Sequence, residues 1–242
     1  MSRLHTSPLI SAALLFATWL QAEEPKKPPS PGTPHPALAP IADVSGLPRV
    51  LLMGDSISMG YTLPVRAHLQ GRANVHHPAE NCGDTGHGLR RLEAWLGADP
   101  WDVIYFNFGL HDLKYLDAQG KYVPPEQGTQ VTRLPQYEAN LRELIARLRR
   151  TGAKLIYATT TPVPGGTLGR VEHDERAYNQ VALRVMQETS VPVDDLHALA
   201  ETRQAQIQLP RNVHFTDEGY DQLAEAVATS ITAALLPEIP VH

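Results

Sequence analysis

The chain has 242 residues, a formal net charge of −5 and one cysteine, Cys82. It contains no block of basic residues, so nucleic-acid binding is not expected. A single cysteine excludes a disulfide within the chain, and we expect Cys82 to be a small buried apolar residue.

The N-terminal part of the sequence predicts export rather than fold. Residues 1–22 are typical of a signal peptide, because Arg3 precedes an apolar stretch, Leu9–Leu20, that is too short to span a bilayer stably. The alternative is a buried N-terminal helix. Residues 23–40 hold seven of the 21 prolines and predict an extended linker. We therefore expect a secreted or periplasmic protein, not inserted in the membrane after signal cleavage, with one domain over residues 41–242.

Short apolar runs alternate with amphipathic segments throughout that domain. This alternation predicts a five-stranded parallel sheet covered on both faces, that is, a three-layer α/β/α sandwich. The predicted strands are Arg49–Met53, Asn74–Pro78, Asp102–Phe108, Lys154–Thr160 and Val191–Val193. The predicted helices are Pro64–Gln70, Gly88–Leu96, Leu134–Arg150, Glu172–Thr189 and a last helix that follows His214 and begins near Thr216.

The segments that follow the strands carry the candidate site residues, because ligands of such sheets bind beyond the carboxyl ends of the strands. They contain a serine, several glycines, an amide and two histidines, which is the set of groups that a serine hydrolase needs. The segments are Gly54–Ser56, Asn81–Gly83, Gly109–Asp112, Thr161–Gly166 and the loop with His214.

Four sequence blocks resemble those of the GDSL, or SGNH, hydrolase family between about Arg49 and Leu236: "MGDSIS", "NCGDTGHGL", "FGLHDL" and "VHFTDEGY". The resemblance implies a flavodoxin-like α/β/α sandwich that hydrolyses esters without a metal or other cofactor. It also implies that Ser56 is the nucleophile and that His214 is the general base. The backbone N–H groups of Ser56 and Gly83 are the implied oxyanion donors.

The third block departs from the family pattern at His111. The family has an asparagine there, whose amide donates to the oxyanion. A neutral imidazole can also donate one N–H, so we expect His111 to replace that donor. Two alternatives stay open: His111 packs or bonds to Asp112, or Asn107, four residues earlier, reaches the substrate instead.

The last block departs at Arg211, where the family has the aspartate that orients the histidine. An arginine cannot accept the imidazole N–H. Candidate replacements are the backbone carbonyl of Arg211, the side-chain oxygen of Asn212, Asp217, or Asp194 and Asp195. We expect a carbonyl oxygen to orient His214, which gives a Ser–His mechanism.

A metal site is not expected, although several histidines and acids lie near strand ends, because none has the spacing of a zinc motif. These residues are His76, His77, Asp84, His87, His111 and Asp112. The long segment 115–133 leaves the sheet beside His111 and predicts a substrate rim, with Tyr122 as a stacking surface.

The expected function is therefore that of an exported serine esterase for small acyl esters, with acetyl groups on a carbohydrate as the expected substrate. A small-molecule or carbohydrate ester is the only partner expected. The alternative is a degraded member of the same fold that binds glycan or ester ligands without turnover, because two of the blocks are altered.

Overall fold

The computed structural model describes residues 35–237, so the predicted signal peptide and most of the predicted linker lie outside the described residues. Within them the chain forms seven strands and six α-helices. The strands are β1 (Arg49–Met53), β2 (Asn74–His76), β3 (Val103–Phe106), β4 (Tyr115–Leu116), β5 (Thr129–Gln130), β6 (Lys154–Ala158) and β7 (Val193–Asp194). The helices are α1 (Ser56–His68), α2 (Thr85–Leu96), α3 (Leu134–Arg149), α4 (Glu175–Glu188), α5 (Leu196–Ile207) and α6 (Asp217–Leu235).

Five of these strands form one parallel sheet in the order β2-β1-β3-β6-β7. Helices α1, α5 and α6 pack together as one layer, and α2, α3 and α4 as the other. Strands β1 and β3 are almost wholly apolar because both of their faces are covered. The predicted three-layer sandwich is confirmed.

Several predicted elements have different ends. The helix predicted at Pro64–Gln70 begins eight residues earlier, at Ser56, because the Asp55 side chain caps its first turn by accepting from Ile57 N–H at 2.9 Å. The strand predicted to continue to Thr160 ends at Ala158. Beyond it, the side chain of Asn179 satisfies both the N–H and the C=O of Thr160, each at 2.8 Å.

A pair of strands and one helix were not predicted. Strands β4 and β5 make a two-residue antiparallel pair inside the long segment after His111. Helix α5 follows β7 directly and is capped by Asp195, which accepts from Ala198 N–H at 3.1 Å. Both lie where the chain has little apolar periodicity.

The linker predicted to extend to residue 40 gives way to packed structure earlier. Residues Pro36–Leu38 form one 3₁₀ turn, and Ala37 within it is fully buried. The guanidinium of Arg66 in α1 donates to the carbonyl oxygen of Ala37 at 3.2 Å, which holds this turn on the domain. Among the described residues, no helix is long and apolar enough to cross a membrane.

Gly60 of α1 packs directly against the ring of Tyr220 of α6. A side chain at position 60 would overlap the ring of Tyr220, so glycine is required for this approach. The contact matters for the site because Ser56 is the first residue of α1 and His214 lies three residues before α6. The spacing between these two side chains is thus set by how the two helices pack.

Candidate active site

The structure brings Ser56 and His214 together from opposite ends of the domain. Ser56 follows β1 and a tight turn at Gly54, where an added Cβ would lie only 2.8 Å from the Ser58 side chain. The hydroxyl Oγ of Ser56 lies 2.8 Å from Nε2 of His214. This is the distance of a hydrogen bond in which the serine hydroxyl can donate to the imidazole.

Asn212 orients the imidazole of His214. Its side-chain oxygen accepts from Nδ1 of His214 at 2.7 Å and from the His214 backbone N–H at 3.1 Å. An amide oxygen only accepts, so Nδ1 carries the proton and the lone pair of Nε2 faces Ser56. The turn that permits this has Arg211 in the left-handed region, with φ of 56°. Strained backbone of this kind is common at functional sites.

The other predicted acceptors are used elsewhere. Asp194 accepts from the hydroxyl of Tyr105 at 2.8 Å, Asp195 caps α5, and Asp217 begins α6. Within residues 35–237, none of the three forms a hydrogen bond with His214. Arg211 provides the left-handed turn, but within the described chain it makes no hydrogen bond to the imidazole of His214.

The pKa of His214 is lowered from its ordinary value of 6.5. Burial is the main cause, and the positive charge of Arg170 adds to it, while the buried Asp55 carboxylate acts in the opposite direction. His214 is therefore neutral at pH 7 and able to accept a proton.

His111 lies in the loop after β3 and faces the same cavity as Ser56. Nδ1 of His111 lies 3.0 Å from Nζ of Lys114, which can only donate, so the imidazole proton resides on Nε2. Burial, with smaller contributions from Lys114 and Arg170, lowers the pKa of His111 to about 4. His111 is thus a neutral imidazole whose Nε2–H is free to donate.

The two alternatives for this position have other partners. The buried carboxylate of Asp112 accepts from the Thr85 hydroxyl at 2.5 Å and from its N–H, not from His111. The amide of Asn107 donates to the carbonyl of Ala158 at 2.7 Å. Asn107 lines a separate enclosed cavity of about 10 Å³ and is not among the residues that line the cavity at Ser56.

Gly83 has a left-handed backbone, with φ of 64°, and its N–H donates to the side-chain oxygen of Asn81 at 2.9 Å. An oxyanion at the site would have to share the N–H of Gly83 with the Asn81 oxygen or displace that oxygen. The backbone N–H of Ser56, at the positive end of α1, makes no hydrogen bond within the described part of the chain.

The cavity at Ser56 has a volume of about 300 Å³ and is open to solvent. Tyr122, predicted as a rim residue, does line it and is 39% exposed. The full lining comprises Ser56, His111, Tyr122, Thr167, Leu168, Arg170, Arg211, Asn212, Val213 and His214.

Sequence reasoning missed Arg170 and Lys114. Arg170 lies in irregular chain after β6 and has no sequence signal that marks it. Lys114 follows His111 by three residues within a turn, a spacing that could have found it. Across residues 35–237, no three His, Cys, Asp or Glu side chains gather as a set that could hold a metal ion.

A second serine–histidine pair lies beside the first. Oγ of Ser58 is 2.8 Å from Nε2 of His77, and Nδ1 of His77 donates to the carbonyl of Pro78 at 2.8 Å. Both side chains are buried, and Ser58 also donates to the Asp55 carbonyl at 2.8 Å. We call Ser56–His214 the open pair and Ser58–His77 the buried pair.

Comparison with known proteins now identifies the chain. The model of the GDSL-like lipase/acylhydrolase family matches residues 52–222, which is most of the chain and includes both members of the open pair. The chain belongs to this family. Membership in the GDSL-like lipase/acylhydrolase family supports a hydrolase, and it confirms the resemblance seen in the sequence blocks.

Solved structures share the fold of this GDSL-like chain at low identity. An acetyl xylan esterase, AlAXEase, has a TM-score of 0.62 and 16% identity, covering 76% of this chain and 99% of that one. A lipase/acylhydrolase from Enterococcus faecalis has a TM-score of 0.64 and 19% identity, covering 80% and 100%. An acetylxylan esterase from Geobacillus stearothermophilus has a TM-score of 0.60 and 22% identity, covering 76% and 94%. No protein of curated function matches the sequence of this GDSL-like hydrolase.

Proposed function

We propose that this chain is an exported serine esterase that hydrolyses small acyl esters through a Ser–His mechanism. The observation that carries the proposal is the hydrogen-bonded series Ser56 Oγ, His214 and Asn212, with distances of 2.8 Å and 2.7 Å, at the edge of an open cavity. A serine needs a neighbouring base, and the base needs a fixed tautomer, before the hydroxyl can attack a carbonyl.

The proposed reaction begins when His214 Nε2 takes the hydroxyl proton as Ser56 Oγ attacks the ester carbonyl carbon. The proton on Nδ1 stays bonded to Asn212, so the imidazolium is held in place by a neutral acceptor. His214 then gives the proton to the leaving alcohol. Water, activated by the same imidazole, hydrolyses the acyl-serine and releases the acid.

The negative charge of the tetrahedral intermediate requires donors that are already in place. The Nε2–H of His111 and the N–H of Ser56 are proposed to supply them, since both are free of other acceptors in the described structure. Gly83 N–H is the third proposed donor, and its bond to Asn81 must open or be shared as the oxyanion forms.

The acyl group and export are proposed on separate grounds. Two of the similar structures are named as acetyl xylan esterases, which supports an acetyl ester of a carbohydrate as the substrate class. The signal-peptide pattern of residues 1–22 supports a secreted or periplasmic location. N-terminal sequencing of the protein recovered from the periplasm or medium checks export, and a first residue near Glu23 is expected.

A non-catalytic relative that only binds esters or glycans is the competing function. The occupied N–H of Gly83 is the observation in its favour. The intact orientation of His214 by Asn212 argues against it, because a binding site has no need of a base aligned on a serine hydroxyl.

Covalent labelling tests the mechanism. A small fluorophosphonate ester should add once to the protein at Ser56, as shown by peptide mass spectrometry, and Ser56→Ala should abolish the adduct. Hydrolysis of 4-nitrophenyl acetate by the wild type should not change with a chelator. Labelling at another residue, or hydrolysis that the chelator stops, would contradict the proposed serine mechanism.

A further inference from the structure

Two arginines line the cavity at Ser56 and have no acidic partner among residues 35–237. They are Arg170, from the chain after β6, and Arg211, from the turn before His214. No Asp or Glu is among the described residues that line this cavity. The cavity is therefore locally cationic, although the whole chain carries a net charge of −5.

Several arginines elsewhere on this surface do have acidic partners. Six of them form ion pairs with carboxylates at distances between 2.5 Å and 2.8 Å. These six are Arg49, Arg91, Arg142, Arg147, Arg176 and Arg184. Within residues 35–237, Arg170 and Arg211 take part in no ion pair. Other arginines of this part of the chain also lack an ion pair, but none of them lines the cavity that holds the candidate nucleophile. They are Arg66, Arg72, Arg90, Arg133, Arg149, Arg150 and Arg203.

The backbone and neighbouring side chains hold both guanidinium groups toward this cavity. Nε of Arg170 donates to the carbonyl of Leu110 at 3.1 Å, and its guanidinium carbon lies 5.5 Å from the ring centre of Tyr122. Its terminal nitrogens are left without a hydrogen-bond partner in the described chain. Arg211 packs on Gly166, where an added Cβ would lie 2.8 Å from the arginine Nε.

The two arginines and Lys114 are the cations near the open pair. The charge of Arg170 helps to lower the pKa of both His111 and His214, and the charge of Lys114 helps to lower the pKa of His111. Asp55, which is buried and caps α1, opposes both shifts, and Asp84 opposes that of His111. An anion in the cavity would relieve the repulsion among these cations and could accept paired N–H groups from a guanidinium.

We propose that this cavity takes an ester that carries an anionic group close to the scissile bond, and that Arg170 and Arg211 bind that group. The inference rests on the proposed esterase function and names its substrate class. The planar fork of each guanidinium suits a carboxylate or another oxyanion, whereas the acetyl ester of an uncharged carbohydrate would leave both groups without an anionic partner.

Two pairs of esters test the inference, each with one anionic and one uncharged member of similar structure. On the alcohol side, 4-acetoxybenzoate is compared with its methyl ester. On the acyl side, the mono-4-nitrophenyl ester of adipic acid is compared with 4-nitrophenyl hexanoate. Each kcat/KM is divided by the rate of hydroxide hydrolysis of the same ester. We expect the anionic member of at least one pair to be preferred about tenfold or more in low salt, with the preference falling as NaCl is added.

The variants Arg170→Gln and Arg211→Gln should each reduce this preference, and the double variant should abolish it. The readout is the ratio of kcat/KM for the anionic ester to kcat/KM for the neutral ester within each variant. A general loss of activity lowers both values and leaves this ratio unchanged. Arg203→Gln is the matched control, because Arg203 is exposed on α5 and bonds only to Gln222 at 2.7 Å. It should keep the wild-type ratio. Equal rates for charged and neutral esters, or a preference that survives the double variant, would overturn the proposal.

Binding separates this inference from the proposed function. Ser56→Ala should bind 4-acetoxybenzoate more tightly than its methyl ester by calorimetry, and the double arginine variant should lose the difference. If no ester is hydrolysed but this binding difference is present, the esterase proposal fails and the anion site stands. If hydrolysis depends on Ser56 without any charge preference in rate or binding, only the anion site fails.

Discussion

The open pair and the buried pair have nearly the same local geometry and different surroundings. Each joins a serine Oγ to a histidine Nε2 at 2.8 Å, and each histidine donates its Nδ1–H to a carbonyl-type oxygen. Ser56 and Ser58 are two residues apart on the first turn of α1. Yet only Ser56 lines the cavity of about 300 Å³, whereas Ser58 lines an enclosed cavity of about 10 Å³.

The comparison shows that a Ser–His hydrogen bond does not by itself define an active site. The single hydroxyl proton of Ser58 serves two acceptors, His77 and the Asp55 carbonyl, and no substrate can reach it. Its bonds hold the turn that presents Ser56. The open pair differs in access, in having no second acceptor for its serine within the described residues, and in sharing its cavity with His111, the proposed oxyanion donor.

The largest difference between the pairs is expected in catalysis. Ser56→Ala should lower kcat for 4-nitrophenyl acetate by at least about 10³, because the nucleophile is lost. Ser58→Ala should stay within about tenfold of the wild type, because Ser58 does not touch the substrate. Steady-state kinetics of the two purified variants measure this. Similar losses in both would mean that the distinction between the pairs is wrong.

The next largest effect is expected at His111, the oxyanion donor proposed for the open pair. His111→Ala should lower kcat by roughly 10²–10³ because a preorganised donor is removed. His111→Asn replaces one N–H donor by another and should retain or raise the activity. Complete loss of activity in the asparagine variant would show that His111 does more than donate to the oxyanion.

The two pairs differ in the acceptor of the histidine Nδ1–H. It is the side chain of Asn212 in the open pair and a backbone carbonyl in the buried pair. Asn212→Ala should lower kcat by roughly 10², because His214 then loses its fixed tautomer. Asn212→Asp should raise kcat and move the acidic limb of the pH profile to higher pH, since a carboxylate stabilises the imidazolium. The pH dependence of kcat for both variants measures this, and an unchanged limb in Asn212→Asp would contradict the assignment.

The buried pair should act on stability instead. Burial lowers the pKa of His77 to about 4 in the folded protein, whereas its ordinary value is 6.5. The unfolded chain therefore binds the proton first, and the free energy of unfolding should fall as the pH drops from 6.5 toward 4. The contribution of His77 is up to about 3 kcal/mol. His77→Gln should reduce the pH dependence of the free energy of unfolding between pH 6.5 and pH 4, as measured by urea titrations. An unchanged pH dependence would contradict this role of His77.

The smallest expected effect is a shift in the pH dependence of kcat/KM, which follows the titration of His214. Activity requires neutral His214, so kcat/KM should fall as the pH drops through a pKa below 6.5. Arg170→Gln removes a positive charge that lowers this pKa, so the acidic limb should move to higher pH. Arg203→Gln should leave it in place. An unchanged limb in Arg170→Gln would show that the charge of Arg170 does not reach His214.

The sheet and its order of elements follow from sequence because buried parallel strands are short apolar runs. Arg49–Met53 was predicted with the bounds that the structure has. Helix α5 escaped prediction because it buries only Leu196, Ala200 and Ile207, while other apolar residues, such as Ala198 and Ala205, are exposed and obscure its apolar face. The β4–β5 hairpin escaped because strands of two half-exposed residues carry no alternation.

The candidate site, like the fold, was predictable from the sequence only in part. Sequence blocks point to Ser56 and His214, but the choice of Asn212 among several acceptors depends on the left-handed backbone at Arg211, which no pattern reveals. Arg170 enters the cavity from a long irregular segment, and its position depends on tertiary contacts with Leu110 and Tyr122. Residue types can be read from the sequence, whereas the partners in loops are fixed by folding.

The close packing of Gly60 against Tyr220 has a consequence for how this domain can diverge. Because the two helices meet there, the loops on the far side of the sheet can gain or lose residues without changing the distance between Ser56 and His214. A larger residue at position 60 would instead push α1 from α6 and separate the reacting atoms at once. We therefore expect substitutions at this glycine, which no substrate touches, to be tolerated less well than changes in the loops at the rim.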